Sequence, residues 1–170
     1  GRLHLEGATV TDSTTAVSIT NTSALISRST LNSTSASGAA LSVHDLPGGS
    51  SFARVIDSTL NAVDTGVALS ANSELVLSAS RVEAGVTGIH SNGGLVTVAD
   101  GSYIEGGTNA LRVRVGDYDH DRPAQVDIDG STLVSGTGAA IRIDNDSGRG
   151  ASSEVYMTVR NGSQGIGGNG

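Results

Sequence analysis

The chain has 170 residues and a formal net charge of −7, with no cysteine, one phenylalanine and no tryptophan. That length suits one domain with its own core. The missing thiols exclude a disulfide framework and a thiolate metal site, and an acidic balance without a basic cluster argues against nucleic acid as a partner. Aromatic residues make up 2% of the chain, so any interior must be narrow and filled by small aliphatic side chains. No run reaches the ~18 apolar residues of a membrane helix, and this segment is not expected to span a membrane.

A short motif recurs from one end of the chain to the other. An apolar residue closes the stretches "EGATV" at Val10, "SRSTL" at Leu31, "IDSTL" at Leu60, "SASRV" at Val82, "DGSYI" at Ile104 and "DGSTL" at Leu133. A partial version, "NGSQG", stops at Gly165. The spacings are 21, 29, 22, 22, 29 and 32 residues. Before these anchors stand short alternating runs, such as Leu3-x-Leu5, Leu75-x-Leu77 and Val126-x-Ile128. A second run follows most anchors, as in "AVSI" from Ala16, "GVALS" from Gly66 and "ALRVRV" from Ala110; "GIHS" from Gly88 is a clipped version.

Each unit of about 21 residues therefore holds three short strands and three turns. Alternation of period two sends one set of side chains inward and the other outward. In "ALRVRV" the inward set is Leu111, Val113 and Val115, with Arg112 and Arg114 in solvent. Strands this short bury a face only by stacking unit on unit. The predicted fold is all-β: a right-handed, single-stranded parallel β-helix of about seven coils, its hand taken from the rule for parallel crossovers. Residues 1–170 form one such domain, expected to be a segment of a longer protein. Asn21, Asn72, Asn92 and Asn145 close the second run and are expected to stack into side-chain ladders at a left-handed corner.

The long spacings locate three insertions: 44–51 ("HDLPGGSS"), 116–124 ("GDYDHDRPA") and 145–153 ("NDSGRGASS"). All follow the second run, so all leave the rod on one edge, where solenoids often bind their partners. The most polar stretch supplies the candidate binding loop: Asp117, Tyr118, Asp119, His120, Asp121 and Arg122. Its alternating oxygens lack the glycine and closing glutamate of an EF-hand loop. No cofactor is expected.

At this point the residues resemble a family. Ser-Thr-Leu followed by a Gly-Ala-Ala or Gly-Val-Ala strand, the stretches "VDIDGSTLVSGTGAAIRIDN" and "VTVADGSYIEGGTNALRV", and the cysteine-free Gly/Ser/Thr/Asn-rich coils resemble passenger domains of bacterial type V autotransporters of the pertactin-like group. The resemblance spans essentially the whole chain and implies a β-helix displayed on the bacterial outer membrane or secreted after cleavage. It implies a non-enzymatic adhesin or virulence-factor scaffold. Its partners would be a host cell-surface or matrix protein, other copies on neighbouring cells, or a glycan. The Arg-Gly-Asp triplet of some adhesive members is absent; the nearest stretch is "GRGA" from Gly148.

An alternative reading makes the chain a carbohydrate-active β-helix enzyme or phage tailspike segment. Aligning coils on the anchors places Asp100 and Asp129 on neighbouring coils, about 5 Å apart, near the separation of a retaining glycosidase pair. Both occur as Asp-Gly-Ser, which is ordinary turn chemistry.

Overall fold

A computed structural model describes residues 1–115, 123–145 and 154–168. Every regular element in it is a strand. The first coil holds β1 (Arg2–Glu6), β2 (Thr9–Asp12) and β3 (Val17–Thr20), and the second holds β4 (Ser23–Ser27), β5 (Thr30–Ser33) and β6 (Ala39–His44). The third holds β7 (Ser51–Ile56), β8 (Thr59–Ala62) and β9 (Thr65–Leu69); the fourth holds β10 (Ser73–Ser78), β11 (Arg81–Ala84) and β12 (Thr87–Ser91). Then come β13 (Leu95–Ala99), β14 (Tyr103–Gly106) and β15 (Asn109–Val115), followed by β16 (Ala124–Asp129), β17 (Thr132–Ser135) and β18 (Ile141–Asn145). A seventh coil contributes β19 (Val155–Arg160) and β20 (Gln164–Ile166).

Every third strand pairs in parallel. The result is two seven-stranded sheets, beginning with β1 and β2, and a six-stranded sheet beginning with β3. The chain is thus a parallel β-helix of seven coils with three faces. Six steps of about 4.8 Å make a rod roughly 29 Å long.

The repeat anchors are the register itself. Val10 pairs with Leu31, Leu31 with Leu60, Leu60 with Val82, Val82 with Ile104, Ile104 with Leu133, and Leu133 with Gly165. A one-residue slip would turn each apolar set to solvent, so the buried column fixes the pairing. The buried hydrophobic residues are all Val, Ile, Leu or Ala, the narrow aliphatic filling that the composition requires. Leu111, Val113 and Val115 point inward as expected, while Arg112 and Arg114 stand on the outer face.

The corner between the first and second faces shows why Ser precedes the anchor. Ser29, Ser58, Ser80, Ser102 and Ser131 are buried there, at 1–3% exposure. The backbone N–H of Ala8 donates to Ser29 Oγ, that of Ser29 to Ser58 Oγ, that of Ser58 to Ser80 Oγ, and that of Ser80 to Ser102 Oγ, all at 3.1–3.2 Å. Each hydroxyl in turn donates to a carbonyl two or three residues back in its own coil. A buried corner thereby satisfies amides that no strand partner reaches.

The turn is made by one left-handed residue just before the serine. Arg28, Asp57 and Ala79 all have φ of 48°, a conformation costing an L-residue about 1–2 kcal/mol. In the fifth and seventh coils the turn holds two such residues, Asp100–Gly101 and Asn161–Gly162.

This differs from the asparagine ladder expected at the third corner. Of the asparagines there, Asn21 alone among the described side chains is left-handed, with φ of 48°. Asn21 Oδ1 accepts the N–H of Leu46 at 2.8 Å, and Asn72 Nδ2 donates to Asp45 Oδ2 at 3.0 Å. Both amides are taken up by the first insertion. An amide ladder does exist, but on the outer second face, where Asn61 donates to Asn32 and Asn32 to Thr11 Oγ1.

The start of β12, just past the second corner, relies on glycine for close approach. A Cβ on Gly88 would lie 2.5 Å from the Ala110 carbonyl oxygen and 2.7 Å from Ile104 Cγ2. Only hydrogen fits where one coil sits this tightly on the next.

Candidate functional site

The third corner, between the third and first faces, carries the insertions. The first lies between β6 and β7 and is described in full. Ser70 Oγ accepts the Asp45 N–H at 2.8 Å and donates back to the Asp45 carboxylate. The Ser51 hydroxyl donates to the His44 carbonyl. Gly49 N–H closes a turn onto the Leu46 carbonyl at 2.8 Å. Asn21 at the corner closing the first coil and Ser70 and Asn72 at the corner closing the third thus hold this loop from both sides, while Leu46 is 56% exposed.

The other two insertions stand at the same place in the element order, one between β15 and β16 and one between β18 and β19. The proposed binding residues Asp117, Tyr118, Asp119, His120, Asp121 and Arg122 lie outside the described residues. Nearly all of the 145–153 insertion does too. Their bases are described. Val115 pairs with Asn145 where both insertions leave, and Ala124 pairs with Val155 where both return. The Ala124 N–H also donates to the Glu154 carbonyl at 3.0 Å. The two insertions therefore rise from adjacent coils with their bases bonded together. In the fourth coil this corner is only Asn92–Gly94, between β12 and β13. A short saddle separates the first insertion from the other pair.

Beside those bases the third face bears a basic column. His90, Arg112 and Arg142 are in-register neighbours on successive coils. Asp144 accepts from Arg142 Nε and from Arg112 Nε, each at 2.7 Å. These bonds hold its carboxyl below the ordinary carboxylate range. The His90 pKa is also lowered, by burial first and then by Arg112 and Arg114, which disfavours its charged form. Its Nε2 is buried without a hydrogen-bond partner among the described residues.

Asp100 and Asp129 do not form a facing pair. Val98 pairs with Ile128, so Asp129 ends its strand opposite Ala99, and Asp100 falls one residue later in the widened turn. Asp100 accepts from Ser78 Oγ on the fourth coil. Asp129 accepts from Arg160 Nε at 3.0 Å and from Asn161, both on the seventh. The two carboxylates are engaged in opposite directions along the rod. The bonds from Asn161 and Arg160 lower the Asp129 pKa and favour the ionised form, which suits neither proton sharing nor acid catalysis.

A different pair is in register on the second face. Glu83 pairs with Glu105 beside an open groove of about 820 Å³ that also contacts Asn32 and Asn61. Each glutamate is already engaged, Glu83 by Arg81 and Glu105 by the Tyr103 hydroxyl at 3.0 Å. The Arg81 guanidinium also lies 4.2 Å from the Tyr103 ring centre. The shared position of these glutamates, one residue after the anchors Val82 and Ile104, is the sequence signal that marks them. Among the described residues no three His, Asp or Glu side chains gather as a metal-ligand set, and no helix is long and apolar enough to cross a membrane. Comparison with protein-family models, with curated proteins and with solved structures finds no match to this chain.

Proposed function

We propose that the chain is a non-enzymatic adhesive scaffold, a segment of an autotransporter-type passenger displayed at a bacterial surface or released from it. The observation that carries this reading is the placement of the insertions. A rod with seven coils and three corners admits extra residues at any of its turns. The longest departures all fall at one corner, and two of them share a bonded base. Polar residues of the 116–124 insertion, Tyr118 above all, then present a contact surface to a host protein, another copy of the chain, or a glycan. The repeats supply rigidity and reach.

The test replaces residues 116–123 and 146–153, leaving the paired bases Ala124 and Asn145 in place, by the short turn of the fourth coil and measures retention on immobilised matrix proteins and on host cells. Retention is expected to fall at least about tenfold, the loss of ~1.4 kcal/mol or more of binding, while the β-sheet circular dichroism spectrum stays unchanged. Undiminished retention with the fold intact would refute the reading and leave a plain spacer.

A further inference from the structure

The outer surface of the first face carries a feature that the insertions do not explain. A groove of about 660 Å³ crosses the first three coils there. Its floor includes Leu25, Phe52 and Ile56, and its rim includes Arg2, His4 and Arg54; no carboxylate lines it. The register stacks Arg2, Ser23 and Phe52 in one column and His4, Leu25 and Arg54 in the next. Elsewhere the described arginines are matched. Arg28 bonds Glu6, Arg81 bonds Glu83, Arg112 and Arg142 share Asp144, and Arg160 bridges Asp127 and Asp129; Arg114 is engaged as well. Arg2 and Arg54 make no ion pair among the described residues. In a chain of net charge −7, two unmatched guanidinium groups on one apolar groove make a locally positive site.

We propose that this groove docks an extended segment of a partner protein that carries, on one face, two carboxylates flanking an apolar side chain. Charge complementarity sets the first requirement. Guanidinium groups bind carboxylates through paired N–H donors, and an uncompensated positive rim steers an acidic partner onto it. The floor sets the second. Leu25 is 36% exposed, and its apolar surface leaves water only against an apolar partner. A sulfated glycan would satisfy the rim and leave the floor wet. Spacing sets the third. Arg2 and Arg54 stand two coils apart and in columns two residues apart, roughly 12 Å, which the ends of a five-residue extended segment match at about 3.4 Å per residue. An Asp-Ser-Leu-Ser-Asp sequence meets all three conditions, since alternation puts both Asp and the Leu on one face. The site is separate from the polar 116–124 insertion and does not depend on it.

The experiment titrates the 170-residue chain into a fluorescent peptide of Asp-Ser-Leu-Ser-Asp flanked by glycines. Parallel arms use Asn-Ser-Leu-Ser-Asn, Asp-Ser-Ser-Ser-Asp and a heparin hexasaccharide. The acidic apolar peptide is expected to bind more tightly than either peptide control, and 0.5 M salt should weaken it. Arg54→Gln should weaken it at least about threefold, and Arg2→Gln with Arg54→Gln about tenfold, as loss of charge-assisted bonds predicts. Leu25→Ser should weaken it without altering the salt dependence. All of these positions are on the outer surface, and circular dichroism confirms each variant's fold. Any of four results would overturn the proposal: equal binding of Asp-Ser-Ser-Ser-Asp, tighter binding of heparin that ignores Leu25→Ser, indifference to the arginine changes, or sedimentation showing that the groove instead joins two copies of the chain.

Discussion

Replacing Leu60 by Ala is expected to lower the free energy of unfolding by about 2–5 kcal/mol. Leu60 is fully buried in β8 of the third coil, with Leu31 on one side and Val82 on the other. Truncation removes its transfer energy and leaves a cavity that the neighbouring coils close only in part, because each coil is held in register by two others. Urea unfolding followed by circular dichroism measures the change. Val10→Ala, at the same position in the first coil, should cost less. Val10 is only partly buried, and among the described residues it has a coil on one side alone. Equal costs at the two positions would mean that the column is not a continuous core.

The second large effect belongs to the serine ladder. Ser80→Ala is expected to cost about 1–3 kcal/mol, the penalty of leaving a buried donor unsatisfied. Ser80 Oγ accepts the Ser58 N–H at 3.2 Å and donates to the Ser78 carbonyl at 2.8 Å. An alanine methyl occupies nearly the same space but offers no acceptor, so the Ser58 amide is stranded inside the corner. The exposed Ser37, whose bonds are to Ser35 in the same loop, supplies the comparison. Ser37→Ala should stay within about 0.5 kcal/mol of the parent. A Ser80→Ala protein as stable as the Ser37→Ala protein would show that water reaches the corner.

Much of the fold was legible because a parallel stack repeats its own constraint. Val10, Leu31, Leu60, Val82, Ile104, Leu133 and Gly165 stand out in the sequence and are bonded neighbours in the structure. Period-two burial leaves no other register for them. The ladder was harder to see. Six of the seven anchors have Ser two residues before them, from Ser29 to Ser163, and the first coil has Ala8. That regularity hides in a chain rich in Ser at exposed positions too. Asp100 and Asp129 mislead because Asp100–Gly101 is a turn of two left-handed residues where the sixth coil uses Gly130 alone. One extra residue moves a carboxylate out of register without disturbing the anchors.

The candidate sites follow the same logic. The edge bearing the insertions was legible from spacing, since extra residues between constant anchors must leave the rod somewhere. The groove of Arg2, Leu25 and Arg54 was not. It joins outer positions of three coils, and whether an arginine is matched depends on which residue lies one coil away. Arg28 finds Glu6 across one coil, whereas Arg54 has Leu25 on one side and Val76 on the other. Charge counts along the sequence do not distinguish them.

Every one of these placements depends on the stacking register, and the absence of cysteine from the chain makes the register directly measurable. Val76 and Thr97 are partners on the outer first face, and Asp127 is the partner of Thr97 one coil further on. Cysteines at 76 and 97 would have Cα atoms about 4.8 Å apart, within the span of a disulfide, whereas those at 76 and 127 would be roughly 10 Å apart, beyond it. Mild oxidation of the folded protein should cross-link Val76→Cys with Thr97→Cys in high yield and leave Val76→Cys with Asp127→Cys as free thiols. Cross-linking of the 76–127 pair in preference to the 76–97 pair would contradict the three-faced stack.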